Sequence, residues 1–137
     1  MPAAEPASGG RPAPAARSAG PFGDVQFTGA THLNLTAGAL LYLGGAFAYH
    51  RAKSLPSVLA STLFATGLVT GSLLIAQQNH VTGHMLCAGS AGTLASLMTV
   101  RAVTTRKPQV LGVGVVSGAL TLYNYRKYLD WADHARA

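Results

Sequence analysis

From Ser54 to Val100 the chain runs without one Asp, Glu, Lys or Arg. A soluble amphipathic helix returns polar residues to its wet face every three or four positions, and this stretch has no charge with which to do so. Only 10% of the 137 residues are charged, against roughly 25% in an ordinary soluble domain. The acids Glu5, Asp24, Asp130 and Asp133 are all terminal, so none falls between Val25 and Leu129. In that interval Lys and Arg come as knots: Arg51 with Lys53, Arg101 with Arg106 and Lys107, and Arg126 with Lys127. The charges punctuate apolar runs, which is the pattern expected when lipid is the solvent.

A helix crossing a hydrocarbon core about 30 Å thick needs roughly 20 mainly apolar residues. The runs between the knots predict spans at Leu33 to Tyr49, Pro56 to Ala76, Val81 to Val100 and Val110 to Tyr125. The first and last are short, which local thinning of the bilayer or flanking anchors can accommodate. Pro56 and Pro108 fall in or just before a first helical turn, where the missing N–H costs nothing. The segments "YHRAKSLPSVLA" and "VRAVTTRKPQVLG" then become the tips of two helical hairpins related by a weak pseudo-repeat. The expected fold is an all-α membrane protein, a small bundle of four transmembrane helices arranged as two hairpins. Three spans plus an interfacial helix is the alternative.

Residues 1–30 are rich in Pro, Ala and Gly and predict a disordered N-terminal segment without a signal-peptide core. Residues 31–126 form the membrane domain. In residues 127–137, with the Tyr123, Tyr125 and Tyr128 rings nearby, Trp131 and the basic residues predict an interfacial tail. The net charge of +6 does not indicate nucleic acid, because the basic residues sit in two turns and a tail rather than on one face.

Small and hydroxylated residues form stripes on the predicted helices. The second carries Gly67 and Gly71 beside Thr62, Thr66 and Thr70. The third carries Gly89, Thr93 and Ser96, and the fourth Gly114, Gly118, Ser117, Thr121 and Asn124. The first offers Gly38, Tyr42 and Gly45. Such spacing lets helix backbones approach, so the stripes read as packing seams, with a weakly polar pathway as the sharper alternative. No ionised residue stands inside a span to couple an ion, which argues against an ion-driven pump.

His80 and His84 share a helical face. Without a neighbouring carboxylate or thiolate they read as interfacial histidines rather than metal ligands. Cys87 has no disulfide partner within the chain, and no nucleophile, base and orienting acid can be assembled. Neither a metal, a cofactor nor an enzymatic activity is expected. Arg51, Lys53, Arg101, Arg106 and Lys107 at the tips are the candidate contacts for an anionic cargo or for lipid headgroups.

The segments "RAKSLPSVLASTLFATGL" and "AGSAGTLASLMTVR" resemble the transmembrane protein 14 family, which is similar to the fatty acid export proteins of plastids. Lys53, Ser54, Pro56 and Ser57 match its basic, Ser, x, Pro, Ser turn, and Gly92, Thr93, Leu94, Met98 and Arg101 fall at its spacing. The likeness runs from about Leu33 to Tyr125. It implies a small multi-helix protein of an organelle membrane, with the mitochondrial inner membrane first and the plastid envelope or endoplasmic reticulum as alternatives. It further implies movement of a hydrophobic carboxylate, a fatty acid or a porphyrin precursor. The alternative is a structural subunit docked through its small-residue faces into a homo-oligomer or a larger membrane complex.

Overall fold

The computed structural model describes residues 25–137. The expected disordered segment therefore lies outside the described residues except for its last six positions. Of those six, Gly29 and Ala30 already belong to the first helix. Among the described residues there are four helices and no strand: α1 Gly29–Ala52, α2 Leu55–Ala76, α3 His80–Thr105 and α4 Pro108–Arg136. Each helix packs on the next in chain order, α1 on α2, α2 on α3 and α3 on α4. Both hairpin tips therefore lie at one end, with the α2–α3 turn and the start of α1 at the other.

Exposure is inverted relative to a water-soluble bundle. Leu43 is 68% exposed, Leu59 and Leu63 70%, and Val103 73%, whereas Thr31, Asn34, Ser72 and Asn124 are fully buried. In water this arrangement would leave most of the hydrophobic driving force unused. In a bilayer the large aliphatic side chains face lipid and the small or polar ones let the helices meet. α2 and α3 are each long and apolar enough to cross a membrane. This is a small all-α membrane protein.

The outer helices are longer than their charge-free runs. α1 has 24 residues and α4 has 29, roughly 36 and 44 Å at 1.5 Å per residue. Tyr49, His50 and Arg51 continue α1, and Arg126, Lys127 and Asp130 continue α4, because helical backbone bonds are indifferent to side-chain polarity. Charge marks where a helix leaves the apolar layer, not where it stops.

The two tips are built alike, which gives the pseudo-repeat a physical basis. Lys53 (φ 50°) ends α1 in the left-handed region and donates its N–H to the Tyr49 carbonyl at 2.8 Å. Arg106 (φ 52°) ends α3 the same way, donating to Ala102 at 2.8 Å. Each thereby satisfies a carbonyl that a helix end would leave orphaned. Pro56 or Pro108 then opens the next helix. At the opposite end the Gln26 N–H reaches the Ala76 carbonyl at 2.9 Å, so the approach to α1 covers the end of α2.

Candidate functional site

At the α2–α3 seam backbone meets backbone. A Cβ on Gly71 would sit 2.5 Å from Cys87 Sγ and 2.9 Å from the Gly83 carbonyl. One on Gly83 would sit 2.7 Å from the Gly71 carbonyl and 2.9 Å from the Ile75 nitrogen. The backbones themselves touch here, so only hydrogen fits. One turn along, Gly67 meets the Ser90 side chain rather than backbone. On α3 the seam thus runs through Gly83, Cys87 and Ser90, displaced around the helix from the expected stripe of Gly89, Thr93 and Ser96. Gly83 was hidden from sequence reading by its place between two histidines.

Gly38 and Gly45 seat α1 on α2, against Ala65 and Val69 and against Ser61 respectively. Gly114 meets Met98 and Thr99 at ordinary contact distance, and Gly92 receives the Thr121 methyl. Gly118 lies off this contact, since a Cβ there would meet nothing within 4 Å.

The hydroxyl stripes do not converge on a channel. Thr62, Thr66, Thr70, Thr93 and Ser96 are exposed on outer faces. Thr93 and Ser96 donate to the carbonyls of Gly89 and Gly92, both at 2.9 Å, and Thr121 donates to Ser117 at 2.7 Å. Folding back onto the i−4 carbonyl satisfies a hydroxyl in a medium without water. Thr66 donates to Thr62 at 2.7 Å, so its hydrogen is engaged and Tyr42 must donate the 2.6 Å bond between α1 and α2. Ser117 is buried.

The polar interior gathers elsewhere, at the end opposite the tips. Asn34 of α1 and Asn124 of α4 exchange both amide hydrogen bonds, Asn34 Nδ2 to Asn124 Oδ1 at 3.0 Å and Asn124 Nδ2 to Asn34 Oδ1 at 2.8 Å. The second Asn124 Nδ2 hydrogen goes to the Leu120 carbonyl at 2.9 Å. His84 of α3 donates from Nδ1 to Asn124 Oδ1 at 3.0 Å, which fixes the tautomer because that oxygen can only accept. Among the described residues no fully buried side-chain nitrogen or oxygen lacks a partner. His84 is 1% exposed, so it is a core residue and not the interfacial histidine its place near the start of a helix suggested. Its i−4 neighbour His80 is partly exposed and lies flat on Trp131, ring centroids 4.0 Å apart. The pair is thus divided between two partners on α4. Among the described residues no three metal-ligating groups come together.

The basic residues are placed differently. Arg51, Lys53, Arg101, Arg106 and Lys107 are all exposed around the two tips, and Lys53 Nζ lies 5.4 Å from the centre of the Tyr49 ring. Among the described residues their end of the bundle carries no acidic residue.

The family model described as "Transmembrane proteins 14C" matches residues 33–125. The chain belongs to the transmembrane protein 14 family. It is similar to "Transmembrane protein 14 homolog" of Dictyostelium discoideum, 28% identical over 108 residues that cover 74% of this chain and 96% of the relative. No solved structure matches it. In this member of the family the matched region begins one residue before Asn34 and ends one residue after Asn124. The buried amide pair and His84 therefore lie inside the family region, and Trp131 lies beyond it.

Proposed function

We propose that this transmembrane protein 14 family member eases the movement of a hydrophobic carboxylate, a fatty acid or a porphyrin precursor, across an organelle membrane, with the mitochondrial inner membrane as its site. The observation that carries the reading is the charge distribution. Five exposed cations ring one end, and no carboxylate lies between Val25 and Leu129 to compete for them. An amphiphilic acid leaves its charge in the interface while its body enters lipid, and exposed guanidinium and ammonium groups are suited to hold that charge. The bundle interior is filled by the Gly71–Gly83 seam and the asparagine pair, so the cargo travels along the protein–lipid boundary. The role is non-enzymatic.

The test is transfer in reconstituted vesicles with protein of verified orientation. Exchanging Arg51, Lys53, Arg106 and Lys107 for Gln slows a fatty acid and a porphyrin precursor but not an uncharged analogue. Equal rates for variant and wild type would remove the tips from the mechanism. Absence of transfer by the wild type would favour the second reading, a structural subunit of a membrane complex. That reading draws support from Gly44, Gly112 and Gly118, around which there is open space for another helix to approach.

A further inference from the structure

Inside the hydrocarbon layer a carboxylate finds no counter-charge on this protein. No Asp, Glu, Lys or Arg lies between Val25 and His50, between Ser54 and Val100 or between Pro108 and Tyr125. An ionised cargo that left the basic tips would stand uncompensated in a medium where charge is costly. The acid therefore enters only after taking a proton from water at the interface, and it then carries one O–H donor. Within the layer that donor has no water to bond, so it needs an acceptor on the protein surface.

Tyr42 offers one at the middle of the layer. It lies ten residues before the end of α1, and Thr66 lies eleven residues after the start of α2. At 1.5 Å per residue both are roughly 15 Å from the tips, halfway across a core about 30 Å thick. Both are exposed, among the exposed side chains of Leu43, Leu59 and Leu63. Tyrosine ordinarily settles at headgroup depth, so one facing lipid at this depth calls for a reason. Its hydrogen goes to Thr66 Oγ1 at 2.6 Å, and the Thr66 hydrogen goes on to the Thr62 carbonyl at 2.7 Å. The Tyr42 oxygen is thus the outer end of a chain of two hydrogen bonds. Each link polarises the one before it, which strengthens that oxygen as an acceptor, and a phenolic oxygen that donates once still accepts.

We propose that the Tyr42 oxygen receives the O–H of the protonated cargo acid halfway across the membrane. The assignment rests on the transport reading and adds two things to it: the protonation state of the cargo within the layer, and the residue that meets it there. The carboxylate leaves the cations at the tips as its proton arrives from interfacial water. The neutral acid follows the α1–α2 surface, donates to Tyr42 in passing and returns the proton to water at the far interface.

The experiment is transfer of oleic acid and of methyl oleate, which has no O–H, in vesicles holding the full chain as wild type, Tyr42→Phe or Thr66→Val. Tyr42→Phe removes the acceptor and slows the acid by roughly three- to tenfold, the worth of one hydrogen bond, while the ester moves as before. Thr66→Val breaks the same bond between α1 and α2 but keeps the Tyr42 hydroxyl, so the acid moves at close to the wild-type rate. Equal slowing of the acid by the two variants overturns the proposal, because the bond is then only a tie between helices. Slowing of the ester together with the acid overturns it for the same reason. If wild type transfers the acid and Tyr42→Phe matches it, Tyr42 has no part in transfer and the transport reading stands. Absence of acid transfer by wild type removes both.

Discussion

Asn34 and Asn124 stand ninety positions apart in the chain, yet they face each other across α1 and α4 with two reciprocal amide bonds of 3.0 and 2.8 Å. Among the described residues α1 and α4 have no extensive packing against each other, and this pair ties the two outer helices directly by side-chain hydrogen bonds. In hydrocarbon an amide left without a partner costs several kcal/mol, which makes the pair specific: it is satisfied only when the two hairpins dock in this register. His84 strengthens the arrangement by giving Asn124 Oδ1 a second donor.

The amide pair predicts strong non-additivity. Asn34→Leu leaves one Asn124 amide hydrogen unpaired, and Asn124→Leu leaves the Asn34 amide and the His84 Nδ1–H without their partner; each should cost about 1–3 kcal/mol, whereas the double change removes both amides and leaves only His84 unpaired. A double-mutant cycle by equilibrium unfolding in mixed micelles should give a coupling of about 1–2 kcal/mol, at the upper end for hydrogen bonds between membrane helices. Simple additivity would show that the two residues act separately.

The glycines predict a sharp division by position. Gly83→Ala puts a methyl 2.7 Å from the Gly71 carbonyl, a contact that only separating α2 from α3 can relieve. It should destabilise by about 1–3 kcal/mol, the usual cost of overpacking. Gly118→Ala enters open space and should be neutral or stabilising by up to about 1 kcal/mol from helix propensity. The same micelle assay checks both. Equal effects would contradict the assigned seam.

Why the membrane fold was legible and the polar core was not follows from what each depends on. The gap in charge from Ser54 to Val100 is a one-dimensional property, and so are the Lys53–Pro56 and Arg106–Pro108 tips; both survive folding unchanged. Gly67 and Gly71 could be read because their i, i+4 spacing defines a helix face. The face of α3 that meets them could not, since Gly83, Cys87 and Ser90 compete with Gly89, Thr93 and Ser96 for the same periodicity, and only the crossing of two helices chooses. Asn34 and Asn124 gave still less signal: a single amide in an apolar helix has no local partner, and its importance arises from a contact between distant segments. His84 misled for a related reason, because its place one turn into α3 suggests the interface until Asn124 is seen to draw it inward.

Four crossings predict a definite pattern of accessibility. With Cys87 replaced by Ser, single cysteines at Ser54 and Thr105 should react with an impermeant thiol reagent from one side of the membrane, and a cysteine at Gln78 from the other. Reaction of 54 and 105 from opposite sides would replace four crossings by three spans with one helix lying in the interface.

The tips allow charge and fold to be separated, because Lys53 and Arg106 hold positive φ of 50° and 52°. That conformation is strained for a side chain with a Cβ, by roughly 1–2 kcal/mol, and free for glycine. Lys53→Gly and Arg106→Gly relieve this strain while losing the favourable placement of a cation at a helix C-terminus, worth about 0.3–1 kcal/mol. The two effects oppose, so each glycine variant should unfold within about 1 kcal/mol of wild type or slightly above it. Lys53→Val, with a β-branched side chain where φ is positive, should fall below by about 1–2 kcal/mol. Because the glycine pair deletes two tip charges without harming the fold, it is a cleaner probe of the carboxylate role than Gln. Slower transfer of a fatty acid by this stable double variant, with the uncharged analogue unaffected, would tie the basic tips to cargo. Unchanged transfer would leave Lys53 and Arg106 as helix-ending residues that orient the hairpins.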